Sequence, residues 1–212
     1  MKHYYKKIKG WFDAAKLYRN MVREADDGAL FVELGSYLGK STSCMAVEII
    51  NSGKNIRFDS IDLFEGDTGS RKTKADVANR DGSRIEAKCR ENLSPVSDYV
   101  NIIKGDAIEL ADAYEDNSID FLYIDDYHET EHVYKELVAW WPKIKAGGVL
   151  AGDDYDVKGS NGMQVIRAVD RFTEGTDLKV LKPRDLKING GWRINKPQVS
   201  KKSLLKFWKY FI

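Results

Sequence analysis

Short apolar runs recur along this chain with helix-patterned segments between them, and that alternation constrains the fold more than any other feature. Ala29 to Leu34, Ile56 to Leu63, Val100 to Ile103, Ile119 to Ile124 and Gly148 to Ala151 are strand candidates. Lys40 to Ile50 carries Cys44, Val47 and Ile50 at helical spacing, and helical patterns separate most of the other runs. Strands that alternate with helices of about ten or more residues predict a mainly parallel sheet covered on both faces, because a parallel crossover needs a helix-length connection. Leu178 to Leu181 and Gly191 to Ile194 read as two closing strands, with a helix from about Met163 to Phe172 before them. Ahead of the first strand, in an N-terminal region over 1–28, the stretch Trp11 to Ala25 sets Trp11, Ala14, Ala15, Tyr18 and Val22 at helical spacing. It is predicted to be an amphipathic helix over one edge of the core.

The length, 212 residues, suffices for one sizeable core and is short for two α/β domains, so a single domain over 1–212 is expected. Lys and Arg total 34 against 33 for Asp and Glu, a formal charge of +1 that supplies no field for nucleic acid. A small-molecule partner fits better, and a homo-oligomer stays open. Cys44 and Cys89 form no zinc or redox spacing and are read as free thiols. No apolar run approaches the roughly 20 residues of a membrane span, and no secretory signal is seen, so a soluble, cytoplasmic protein is expected. The polar stretch 65–84 leaves the sheet directly after the second strand and reads as a lid over a site or as a solvated connection. Ligands of open α/β sheets bind beyond the strands' carboxyl ends, which favours the lid. The basic, aromatic tail over 197–212 carries Leu204, Phe207, Trp208 and Phe211 among lysines and is expected to dock on its own domain rather than on an anionic surface.

Glu33-Leu34-Gly35-Ser36-Tyr37-Leu38-Gly39-Lys40-Ser41 is the most informative stretch. A phosphate-binding P-loop is excluded, because only Ser36, Tyr37 and Leu38 stand between the two glycines where that loop needs four residues. The dinucleotide fingerprint weakens too, with Tyr37 where a second glycine should admit a pyrophosphate. What remains is an acid closing a strand and a Gly-x-x-x-Gly turn. Such a turn lets a ligand lie against bare backbone while Glu33 accepts from a cationic amine, and the ligand need carry no phosphate. Asp62 and Asp106 follow at the ends of the next two strands, and three acids at three successive strand ends point to a shared ligand. An Asx turn is the plainer reading of Asp106.

Those residues, followed by Cys44-Met45-Ala46, resemble the first motif of class I S-adenosylmethionine-dependent methyltransferases, and most nearly the catechol-type O-methyltransferases. Ile119 to His128, Trp140-Trp141-Pro142 and Lys145 to Tyr155 resemble the sugar- and antibiotic-modifying group, methyltransferase family 24. The resemblance runs from about Trp11 to Trp192 and implies a Rossmann-like, doubly wound α/β fold with seven strands, mainly parallel, the last antiparallel. It implies S-adenosylmethionine bound by Glu33, Gly35, Ser36, Tyr37, Gly39, Ser41 and Asp125, with Asp62 on the ribose hydroxyls and Asp106 on the adenine amino group. In the metal-dependent relatives, one acid after the fourth strand and an adjacent pair after the fifth hold magnesium, and Asp125, Asp153 and Asp154 match those places. Hard cations prefer such oxygen ligands, and a bound cation lowers the pKa of a coordinated hydroxyl. His128 stands where catechol-type enzymes place a lysine base, and imidazole does that work near neutral pH. The aspartate that serves some sugar methyltransferases as base is replaced here by Tyr127.

The expected function is therefore metal-assisted O-methylation of a small hydroxylated acceptor such as a sugar or natural product, with His128 and Asp125 at the catalytic centre. A cofactor-binding subunit without catalysis, or a hydroxylase-associated or NAD-dependent relative, is the alternative. His128-Glu129-Thr130-Glu131-His132 also spells the zinc-protease motif, which is set aside because the only other histidine is His3. Glu129, Glu131 and His132 then read as a polar first helical turn, and Trp140-Trp141 as core.

Overall fold

The computed structural model describes residues 1–65, 82–155 and 160–198; within the helix that begins at 160, the side chains are described from Gly162 on. One sheet of seven strands organises it, in the order β3-β2-β1-β4-β5-β7-β6. The strands are β1 (Leu30–Leu34), β2 (Arg57–Asp62), β3 (Asn101–Lys104), β4 (Ile119–Ile124), β5 (Ile144–Gly152), β6 (Val180–Leu181) and β7 (Trp192–Asn195). β1 to β5 pair in parallel, and β7 lies antiparallel between β5 and β6. This is the doubly wound fold with an antiparallel last strand. Among the described residues no helix is long and apolar enough to cross a membrane.

Alternation along each strand sends side chains to two cores. Phe31, Phe121, Tyr123, Val149 and Ala151 face α1 (Ala15–Glu24), α2 (Lys40–Ser52) and α3 (Gly82–Leu93). Val32, Leu34, Leu122, Ile124 and Leu150 face α5 (Thr130–Trp140) and α6 (Ser160–Thr173). Both Trp140 and Trp141 are core, and Cys44 and Cys89 are buried free thiols.

The first helix begins later than its spacing predicts. Trp11 is 87% exposed, and the buried face is Leu17, Tyr18, Met21 and Val22, with Ala14 and Phe12 packed ahead of it. Trp11 and Ala14, ahead of Ala15, mimic helical spacing without a helix under them. The fifth strand starts earlier than its apolar run, because Ile144 already pairs with Ile119 before a register shift leads to the pairing of Val149 with Phe121. The helix α3, with Ile85, Cys89 and Leu93 inward, was not marked by the sequence pattern. Of the expected lid, 66–81 lies outside the described residues, as does the tail from 199 on.

Candidate active site

The strand order reverses between β1 and β4, so their carboxyl ends diverge and leave the crevice where ligands of such sheets bind. The glycine turn fills the β1 side of it. A Cβ on Gly35 would stand 2.0 Å from the Asp125 carbonyl oxygen, and the residue has φ +92°, so only glycine lets the turn lie against the end of β4. Gly39, at φ +82°, opens α2 and packs on Leu93. Tyr37 has φ 45° and is the exposed side chain of the turn.

Asp62 braces this turn. Its Oδ2 accepts from the Ser36 N–H at 2.8 Å and the Tyr37 N–H at 2.7 Å, and its Oδ1 from the Phe64 N–H at 2.6 Å. Glu33 points to the α1–α2 face and is 1% exposed. One oxygen accepts from the Tyr18 hydroxyl at 2.8 Å, the other from Thr42 and from Ser60 at 2.7 Å. Ser36 continues the network through its hydroxyl contact with Ser60, and Ser41 adds a further bond to Glu33. Burial raises the Glu33 carboxyl above its ordinary range while these hydroxyls pull it back. Both carboxylate oxygens are thus engaged inside the protein rather than facing an amine. Asp106 is the N-cap of α4 (Ala107–Leu110), one oxygen accepting from the Ile108 N–H at 2.8 Å and the Glu109 N–H at 3.1 Å.

The β4–β5 side is different in character. Ligand atoms of Asp125, His128 and Asp154 lie within 4.8 Å of one another, and His128 Nε2 is 2.6 Å from Asp154 Oδ2. Burial, then the charges of Asp153 and Asp154, push the Asp125 carboxyl well above the carboxylate range. Asp153 is pushed up to about 6, chiefly by burial, although the Asp154 N–H bonds to it. Asp154 takes a left-handed φ of 57°, and the Trp192 indole donates to the Asp153 carbonyl at 3.1 Å, holding the strand end. The structure thus brings Asp125 and Asp154 together with His128 in the tight group, and Asp153 beside it. Ile124, Tyr127, Val133, Val165 and Trp192 wall the small cavity into which this group opens.

A family model described as a methyltransferase domain matches residues 32–155, more than half of the chain. The chain belongs to this methyltransferase family. Solved structures share the methyltransferase's fold at low identity. The O-methyltransferase NovP has 17% identity and a TM-score of 0.61, over 86% of this chain and 79% of that one. The O-methyltransferase TomG from Streptomyces achromogenes, involved in tomaymycin synthesis and solved with S-adenosylmethionine, has 13% identity and a TM-score of 0.59 over 86% and 79%. An O-methyltransferase from Bacillus cereus in complex with S-adenosylhomocysteine has 14% identity and a TM-score of 0.57 over 86% and 78%. No curated protein sequence matches the methyltransferase.

Sequence reasoning missed one group near the crevice. His132 is no ordinary residue of a polar first turn: it turns towards the wholly buried Glu136 and towards Asp126. Glu129 and Glu131 do stay outside, Glu131 meeting Arg171 at 2.6 Å. The signal was present in Glu136, which falls in the apolar stripe of Val133, Leu137 and Trp140 where a carboxylate has no ordinary reason to be.

Proposed function

We propose that the protein is an S-adenosylmethionine-dependent O-methyltransferase that acts, with a divalent cation, on a small hydroxylated acceptor such as a sugar or natural product. The observation that carries this reading is the convergence of Asp125, His128 and Asp154 across the crevice from the glycine turn. S-adenosylmethionine would supply a methyl group on a cationic sulfur. An edge rich in carboxylates, with bare backbone at Gly35, suits such a cation and needs no phosphate cradle. Asp62 has one Oδ1 bond and a position at the mouth of β2 from which to meet ribose hydroxyls, while it fixes the turn through Oδ2.

The donor set also fits a divalent ion. Asp125 and Asp154, with Asp153 adjacent, offer the hard oxygen ligands that magnesium prefers, and crowding otherwise drives these acids towards protonation. Bound there, the ion would polarise the acceptor hydroxyl. His128 takes the hydroxyl proton, and Asp154, 2.6 Å from Nε2, orients the ring and steadies the imidazolium. The protein's remaining task is to hold acceptor oxygen and methyl in line, which supplies much of the rate in a displacement of this kind.

Calorimetry with S-adenosylmethionine and its demethylated product, followed by transfer assays over a panel of hydroxylated acceptors, tests the reading. His128→Ala should cost about a hundredfold in turnover and remove the acid-side fall of the rate profile. Absence of any heat with either cofactor form would overturn the assignment. An unchanged pH profile in the variant would instead leave His128 as a group that positions Asp154.

A further inference from the structure

We propose that Asp126, His132 and Glu136 form a second site, separate from the Asp125–His128–Asp154 group, that takes one divalent transition ion of the zinc class. Their ligand atoms lie within 4.8 Å of one another. Glu136 is 0% exposed, and neither of its oxygens has a hydrogen-bond partner. The His132 Nε2 is likewise buried without a hydrogen-bond partner; it stands 3.6 Å from Glu136 Oε1, within ion-pair range but beyond hydrogen-bond length. Buried carboxylates without donors are rare because desolvation is not repaid, and one whose nearest neighbour is another open ligand atom calls for something between them.

The spacing says what. Ligands at about 2.0–2.1 Å from a tetrahedral zinc stand about 3.3 Å apart, and the imidazole nitrogen and carboxylate oxygen are already near that separation. One imidazole with two carboxylates suits zinc or a similar transition ion, whereas magnesium prefers an all-oxygen shell with water. His132 and Glu136 are four residues apart on one face of α5, a spacing that directs both to one point, and Asp126 reaches the same point from the end of β4. Burial, then the charge of Glu136, pushes Asp126 up to about 8, and burial raises Glu136, while the neighbouring His132 imidazole pulls both acids back. Asp62 and Asp106 add further negative potential from the side of the crevice. The Tyr127 ring packs on His132 with centroids 4.2 Å apart and closes one side.

The two histidines of the His-Glu-x-x-His string therefore serve different groups: His128 faces Asp154, His132 faces Glu136. An ion at the second site would tie the loop that carries Asp125 and His128 to the start of α5. Its role would be to hold that loop in place, with no part in the chemistry.

The test uses the full chain, stripped by chelator and without cofactor, titrated with zinc by calorimetry and followed by thermal unfolding. Wild type and Asp154→Asn should both bind a zinc equivalent that Glu136→Gln lacks, with affinity at that site reduced at least about a hundredfold. At zinc about a hundredfold above the dissociation constant, the melting temperature should rise by roughly 5–10 °C in the first two proteins and not through this site in the third. Unfolding of the metal-free Glu136→Gln protein checks that it folds; if it does not fold, His132→Gln serves in its place. Equal zinc stoichiometry and affinity in wild type and Glu136→Gln, or no zinc uptake by wild type, would overturn the proposal. Because the readout is metal binding, the result is independent of whether methyl transfer is ever observed.

Discussion

On the β1–β2–β3 side of the sheet's carboxyl edge, Glu33, Asp62 and Asp106 each accept hydrogen bonds from the chain itself, whereas on the β4–β5 side Asp125, Asp126 and Asp153 stand largely against other acids. The first three collect hydroxyls and backbone N–H groups: Tyr18, Thr42 and Ser60 on Glu33, the turn amides on Asp62, the α4 amides on Asp106. The second three are raised by burial and by one another or by further carboxylates, Asp153 to about 6 and Asp126 to about 8. Acids that find donors within the fold build a turn fixed before any ligand arrives. Acids that find mainly each other ionise less readily, and a positive group placed among them relieves that crowding. Under the proposed function, the difference separates a cofactor-side turn held by its own hydrogen bonds from a cation site, within one edge of one sheet.

The harshest way to break that comparison is to deny the crowded side its cation. Under the proposed function, excess chelator or Asp154→Asn should lower turnover by about a hundred- to a thousandfold, while the affinity for the demethylated cofactor changes less than about twofold. Full activity in chelator would show that the crowded acids are neutralised by protons alone. A smaller effect is expected across the crevice. Asp62→Ala strips the Ser36, Tyr37 and Phe64 amides of their acceptor, and calorimetry should show cofactor binding weakened by about 1–3 kcal/mol. Unaltered affinity would mean that Asp62 serves the turn and nothing beyond it.

Much of this was legible in the sequence because it rests on local pattern. Alternating strands and helices gave the sheet; the glycine spacing gave the turn, and the Cβ clash at Gly35 shows why glycine is needed there. Other features depended on contacts between distant segments. That Glu33 faces Tyr18, and not the crevice, follows from the strand's alternation against α1, a helix whose true start after Trp11 the spacing blurred. That His128 joins Asp125 and Asp154 more closely than Asp153 does depends on the left-handed turn at Asp154, which no spacing announces. Glu136 was the exception: a carboxylate inside an apolar stripe could be seen in advance, but its partners His132 and Asp126 could not be paired with it without the end of β4 beside α5.

The finest test of the comparison is Glu33→Gln, which asks whether the satisfied side is scaffold alone. The amide keeps the shape, and Thr42 and Ser60 can rotate to accept where they now donate, so the change in stability near neutral pH should stay within about 1–1.5 kcal/mol. Its sign should depend on pH. The Glu33 carboxyl is raised in the folded state, so the folded protein binds more protons than the unfolded chain between the ordinary carboxylate value and the raised one. Whatever stability the protonated group contributes is fully present below the ordinary value and declines as pH rises through the raised one. Glutamine cannot titrate. Denaturant unfolding at a series of pH values from 4 to 8 should therefore show the wild type losing ground to Glu33→Gln as pH increases, with cofactor affinity the same in both. A variant that matches the wild type's stability at every pH but binds the cofactor tenfold more weakly would put Glu33 in the crevice after all, and the division between the two sides of the edge would fall.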